Sequence, residues 1–425
     1  MTATDIHRTI EAVWRIESAR IVAALGRIVG DVGVAEDLAH DALVAALERW
    51  PATGVPDNPG AWLTATAKHR AIDHLRRGRL VERKHEALGH ELEARQTSPE
   101  PALAEALDDD VGDDLLRLIF VCCHPVLTGE ARVALTLRLL GGLTTAEIAR
   151  AFLVPEPTIA QRIVRAKRTL SEARVPFEVP RGAEREERLA SVLEVVYLVF
   201  NEGYAASSGD EWVRPTLCEE ALRLGRILAG LAPDEPEVHG LGALMELQAS
   251  RLRARVDAAG EPVLLLDQDR ARWDRLLIGR GLAALERAES LAREHGTPRG
   301  WYTLQAAIAA CHARARTAEE TEWPRIAALY EALAAVAPSP VVELNRAVAV
   351  GMALGPAAGL ALADALADEK TLARYHLLPA VRADFLAKLG RVDEARVELE
   401  RAASLAGNER ERELLLRRAA GLAAR

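Results

Sequence analysis

The chain has little of several things that large proteins use. Aromatic residues fill 4% of its 425 positions, and there are four cysteines and three methionines. Cys122, Cys123, Cys218 and Cys311 show no spaced framework, which excludes a disulfide scaffold and fits a reducing compartment. No basic stretch followed by an apolar core opens the chain, and no apolar run approaches the roughly 20 residues that cross a bilayer. The expectation is a cytoplasmic protein with no membrane partner. Alternating β-branched runs are also missing. The abundance of Ala, Leu, Arg and Glu therefore predicts an all-α fold. Without a glycine-rich phosphate loop or a nucleophile motif, no enzyme, cofactor or metal is expected.

A net charge of −9 argues against a general nucleic-acid binder, but the average hides an asymmetry. Trp62 to Lys84 carries seven basic residues against Asp73 and Glu82, whereas Glu91 to Asp114 carries nine acidic residues against Arg95 alone. Steering toward phosphate depends on such local patches rather than on the total.

The stretch from Gly142 to Arg174 reads as two helices joined by a tight turn. Thr144 and Glu147 form a capping box for the first, which runs through Ile148, Ala149 and Phe152. Pro155 and Pro157 suit a turn followed by a first helical turn. Ile159, Ile163, Ala166 and Leu170 then recur at helical spacing as a buried stripe. The opposite face carries Thr158, Gln161, Arg165 and Arg168, flanked by Arg162 and Lys167, and no acid falls between Thr158 and Leu170. That is the shape and charge of a DNA-recognition helix.

Around this core the chain divides into residues 8–86, helical and broken by Pro51, Pro56 and Pro59; an acidic linker over 87–112; the helix-turn-helix block over 113–177; and helix after helix over 184–425. In the last block Ala383, Leu386, Gly390, Ala395, Leu399 and Ala402 fall where a tetratricopeptide helix pair needs small or apolar residues. Trp323 to Ala337 and Pro340 to Ala365 read as less regular pairs. Such repeats offer a concave binding surface rather than a catalytic cleft.

Two further helices carry candidate surfaces. Over 61–77, Leu63, Ala67, Ala71 and Leu75 line an inner face, while Trp62, Thr66, His69, Arg70, Asp73, Arg76 and Arg77 lie outside. A tryptophan among arginines suits stacking on unpaired bases beside phosphate contacts, the alternative being a plain solvated face. Over 34–50, Asp37, Asp41 and Glu48 share one stripe with Glu36 adjacent. This is either a charged surface or a seat for a basic partner, and it reads as well separated from the basic helix.

Resemblance decides between these. Ala35–Trp50 resembles the polymerase-binding helix of bacterial extracytoplasmic-function sigma factors, Asn58–Arg77 their promoter-melting helix, and Leu143–Leu170 their upstream-element helix-turn-helix. The order, spacing and acidic linker match over about the first 175 residues. The remainder is similar to a group of these factors with a tetratricopeptide-like extension, its markers being Phe120–Pro125, Phe200–Tyr204 and Leu344–Ala349. The resemblance implies two small DNA- and polymerase-binding domains followed by a repeat domain. It assigns Glu36, Asp37 and Asp41 to the surface that docks the clamp helices of the RNA polymerase core. Asn58, Trp62, Arg70, Arg76 and Arg77 fall to duplex opening at the −10 element, and Thr158, Gln161, Arg162, Arg165 and Arg168 to the −35 major groove. Pro157 and Ala160 replace residues more usual there, which leaves the bases read undefined. Promoter DNA and polymerase core are the implied partners. The extension is implied to govern activity in cis, through a regulatory protein or ligand.

Other constellations read as structural. Adjacent Cys122 and Cys123 diverge by about 100° on a helix, so with His124 they suit packing better than a closed metal site. Asp267 and Asp269, near His239 and Glu261, read as helix caps. Asn201 and Glu202 are expected to lie on a turn that transmits regulation, so that replacing them changes transcription but not stability. A rival reading is a helix-turn-helix regulator on a repeat scaffold that binds operator DNA without polymerase.

Overall fold

The computed structural model describes residues 3–87, 111–152, 154–205, 212–257 and 260–423. Eighteen α-helices and no strand occur among them. Most of the acidic segment 87–112 lies outside the described residues. Contacts cluster into two compact units, Met1–Val195 and Val196–Arg425.

The first unit begins with α1 (Ala3–Val29), α2 (Val32–Thr53) and α3 (Pro59–Ala87), which pack on one another. Asp31 starts α2 by accepting hydrogen bonds from Gly33 N at 2.8 Å and Val34 N at 3.0 Å. Pro51 does not break this helix as the sequence suggested. It sits in the last turn, which closes when Gly54, at φ 86°, donates to Trp50 O. Pro59 opens α3 at a first-turn position, where its missing N–H costs nothing. Next come α4 (Val111–Cys122), α5 (Gly129–Leu139), α6 (Thr145–Ala151) and α7 (Glu156–Glu172). Helix α1 packs on α4 as well as on α2 and α3, so the first and third sequence blocks share one folded unit. Trp50, Leu63, Phe120, Leu135, Leu137 and Ile148 are among its fully buried side chains.

Helix α8 (Gly182–Tyr204) runs from the first unit into the second. The second unit continues with α9 (Pro215–Leu231), α10 (Pro236–Ala249), α11 (Arg275–Glu294), α12 (Trp301–Arg314), α13 (Trp323–Val336), α14 (Pro340–Leu354) and α15 (Pro356–Asp364). It closes with α16 (Leu377–Lys388), α17 (Val392–Leu405) and α18 (Glu409–Ala423). One core among its described residues runs from Ala243 through Leu304 and Ile326 to Ala349. Near the C-terminus, Ala383, Leu386, Ala395, Leu399 and Ala402 are all buried where α16 packs on α17, and Gly390 turns the chain at φ 78°. A left-handed φ is what glycine supplies without a Cβ clash.

Candidate nucleic-acid interface

Helices α6 and α7 form a helix-turn-helix whose local causes are all visible. Thr144 Oγ1 accepts from Glu147 N at 3.1 Å, and Glu147 Oε2 accepts from Thr144 N at 2.7 Å, closing the capping box. Pro155 occupies the cap position of α7 and Pro157 its first turn. Ile159, Ile163, Ala166 and Leu170 are buried. On the opposite face Thr158, Gln161 and Arg165 are exposed. They border a groove with Thr128, Glu130 and Ala131 at the start of α5. Two of the five expected contact residues already hold acids: Arg162 pairs with Glu130 at 2.5 Å, and Arg168 with Glu172 at 2.6 Å. Both acids are solvent-exposed, so these pairs are weak and can be exchanged for phosphate.

On α3 the inner residues Leu63, Ala67 and Ala71 are fully buried, and Arg76 and Arg77 are exposed. Asn58 caps the helix, its Oδ1 accepting from Ala61 N at 3.1 Å. Trp62 is half-buried rather than free among the arginines. Its ring meets Trp50 edge-on, 5.4 Å between centroids. The acidic stripe and the basic helix are not separated: Arg70 on α3 pairs with Asp41 on α2 at 3.2 Å. Packing α2 against α3 brings those faces to one rim, which one-dimensional spacing does not reveal. Asp37, Asp41 and Glu48 are exposed along α2, with Val44 and Leu47 also exposed.

Glu36 departs most from expectation. The sequence placed it on the docking surface beside Asp37, but it is only 4% exposed and points into the unit. Arg138 Nε on α5 donates to its Oε1 at 2.8 Å, Lys167 Nζ on α7 pairs with its Oε2, and His40 lies 3.8 Å away. Burial alone pushes the Glu36 carboxyl up. Lys167, Arg138 and His40 outweigh it and hold the group below the usual carboxylate range. A buried carboxylate needs such partners, and here they come from the helix-turn-helix block. Sequence reasoning missed Arg138 and put Lys167 on the DNA flank. Nothing local in the sequence names the partner of Glu36.

A second tie joins α1 to α4, where Arg27 Nε meets Asp114 at 3.0 Å and Arg117 pairs with the same carboxylate. Asp114, the last acid of the run counted from Glu91, is therefore buried structure rather than solvated linker. The Phe120–Pro125 marker also has a structural account. The carbonyls at the end of α4 would be orphaned, and α8 supplies donors: Arg188 Nη2 to Phe120 O at 2.9 Å and Ser191 Oγ to Cys123 O at 2.6 Å. Arg132 on α5 holds Ser191 and pairs with Glu194 at 3.0 Å. Cys122 and Cys123 are both buried, and burial pushes both thiols up, Cys123 to about 11. Thiols so protonated are packing groups at neutral pH.

Comparison with known proteins agrees with this geometry. Residues 15–80 match the Sigma-70 region 2 family and residues 117–170 the Sigma-70 region 4 family. The ECF RNA polymerase sigma factor SigC of Mycobacterium tuberculosis (strain CDC 1551 / Oshkosh) is 30% identical over 165 residues, 39% of this chain and 78% of that protein. The chain belongs to the extracytoplasmic-function sigma factors. Another relative of this sigma factor is the probable ECF RNA polymerase sigma factor SigI of Mycobacterium tuberculosis (strain CDC 1551 / Oshkosh), 30% identical over 181 residues, 42% of this chain and 60% of that protein. An uncharacterized protein of Rhizobium meliloti (strain 1021) is 46% identical over 389 residues, 91% of the sigma factor and 89% of the relative, so that similarity extends into the second unit. Residues 188–289 match a family of unknown function. No solved structure matches the sigma factor. RNA polymerase core and promoter DNA are the partners its two sigma-70 regions imply. Among its described residues, no helix is long and apolar enough to cross a membrane.

Proposed function

We propose that this sigma factor directs promoter-specific initiation through two surfaces of its first unit, and that its C-terminal helices regulate it in cis. Asp37 and Asp41 dock the clamp helices of the polymerase core, with exposed Val44 and Leu47 adding apolar area along the stripe. Thr158, Gln161 and Arg165 read the −35 major groove. Arg162 and Arg168 take phosphates after leaving Glu130 and Glu172. Arg70, Arg76 and Arg77 hold the strand opened at the −10 element, Trp62 offers its uncovered face for stacking, and Asn58 fixes the start of their helix. Residues 8–86 and 113–177 are the two promoter-binding domains. The carrying observation is that an exposed cationic recognition face on α7 and an exposed acidic stripe on α2 lie in one compact unit.

Glu36 adds a step to this reading. Its pairs with Lys167 and Arg138 hold the two promoter-binding blocks together in the free chain, so their separation must change before both elements are read. Docking on polymerase supplies that change and fixes the spacing, so that two weak DNA contacts combine through effective concentration. The repeat-like block, 184–425, offers helix pairs to a regulatory protein or ligand. It acts in the cytoplasm and carries out no chemistry in this reading.

Purified protein should capture core polymerase and support transcription in vitro from a promoter that core alone ignores. Failure to associate with core, or tight palindromic operator binding without it, would replace this reading with that of a helix-turn-helix repressor.

A further inference from the structure

The second unit sets partly buried arginines beside aromatic rings. Arg251 and Arg255 follow the end of α10, and both are half-buried. The Arg255 guanidinium lies 3.7 Å from the centroid of the Tyr204 ring and 5.6 Å from that of Trp212. Arg251 lies 5.7 Å from Tyr204 and the same distance from Trp273. Two guanidiniums thus flank one tyrosine.

Their neighbour Arg270 shows what a structural arginine looks like in this setting. It donates to His312 O at 2.6 Å, Ala315 O at 2.9 Å and Thr321 Oγ1 at 3.1 Å, while stacking 4.9 Å from Trp273. Among the described residues the Arg251 side chain has only a long hydrogen bond of 3.4 Å to Gln248 Oε1. The Arg255 Nε is buried with no acceptor, and neither arginine has a carboxylate partner among the described residues. A half-buried guanidinium with unused donors is costly unless something else accepts them. The surrounding groups do not help. Burial pushes the Tyr330 hydroxyl up to about 12, and burial followed by Arg251 and Arg270 pushes His312 down to about 3, so neither offers a counter-charge at pH 7. Burial pushes Arg251 itself down, and Arg255 adds to this.

Tyr204 is held in place by the Phe200–Tyr204 marker. Glu202 pairs with buried Arg214, Arg214 N donates to Gly203 O at 2.7 Å, and Gly203 lets α8 approach Cys218 so closely that a Cβ would lie 2.7 Å from its backbone nitrogen. The Tyr204 ring beside Arg251 and Arg255 is therefore fixed in place by its neighbours.

We propose that Arg251 and Arg255, with Tyr204, Trp212 and Trp273 around them, bind an oxyanion, the phosphate or carboxylate group of a small ligand. Guanidinium forks match both groups bidentately, and the rings hold the forks by cation–π contact. The inference rests on the second unit alone, so its failure leaves the sigma-factor reading untouched.

The full-length protein is heated with increasing inorganic phosphate, with increasing benzoate, and with sodium chloride at matched ionic strength, while tryptophan fluorescence is followed. Phosphate, benzoate or both should raise Tm saturably beyond the effect of chloride, and the active anion names the group. The Arg251→Gln/Arg255→Gln double variant should lose the response. Should that variant fail to fold, Arg255→Lys keeps a charge but loses the fork and should bind at least about tenfold more weakly. A wild-type Tm that moves only as in chloride overturns the proposal, as does an undiminished response in the variants.

Discussion

Glu36 on α2 accepts a 2.8 Å hydrogen bond from Arg138 on α5 across 102 residues of chain. With Lys167 on the other carboxylate oxygen, it fastens α2 to α7. Glu36→Gln leaves both cations without a counter-charge. The first unit should lose about 3–5 kcal/mol, the usual cost of breaking a buried pair. Thermal unfolding reads the loss, and hydrogen exchange should speed up in α2 and α7 while α16 and α17 stay protected. Unchanged exchange in α7 would remove Glu36 as a fastener.

Acid should loosen the two units in different pH windows. The folded Glu36 carboxyl lies below its ordinary range, so its contribution is complete above about 4.3 and is lost as pH falls below that value. His312 is also depressed, to about 3 against an ordinary value near 6.5. Its neutral form is the folded one, so the second unit should lose stability from about pH 6.5 downward. One proton gives a slope approaching 1.4 kcal/mol per pH unit, roughly, between those limits. Unfolding midpoints from pH 7 to 4 test this, and His312→Gln should flatten the slope.

Replacing Arg165 with alanine should leave stability within about 0.5 kcal/mol, because the side chain is exposed. It should cost about 1–3 kcal/mol of discrimination at one −35 base pair. Transcription in vitro on promoters altered singly across that element reads the effect. A uniform loss at every sequence would make Arg165 a phosphate contact instead.

Glu202→Ala should destabilise the second unit, contrary to what the sequence alone suggested. Glu202 and Arg214 are paired and largely buried, and removing the acid takes one partner from a buried guanidinium. A loss of about 3–5 kcal/mol is expected in chemical denaturation. Asn201→Ala, which removes only a hydrogen bond to Tyr197, should cost about 1 kcal/mol.

Helices were legible because their signals are local. The capping box at Thr144, the prolines at 155 and 157, and the apolar stripe from Ile159 to Leu170 act within a few residues, so periodicity carries them. The exposed faces of α2 and α7 were legible for the same reason. Trp62 was half-legible: its place on the helix was right, but Trp50 covers one edge of it. Pro51 misled, because a proline in a last helical turn gives up one hydrogen bond without ending the helix.

By itself the amino-acid sequence determined an all-helical chain, a helix-turn-helix, an arginine-rich exposed face, and kinship with the sigma factors. Tertiary structure alone decided that Glu36 faces inward to Arg138 and Lys167, that Asp41 meets Arg70, and that Arg188 and Ser191 close the end of α4. Helix propensity and capping are settled by near neighbours along the chain. The partner of a buried charge is settled by which surfaces the fold brings within a few ångströms, and no spacing in the sequence encodes that.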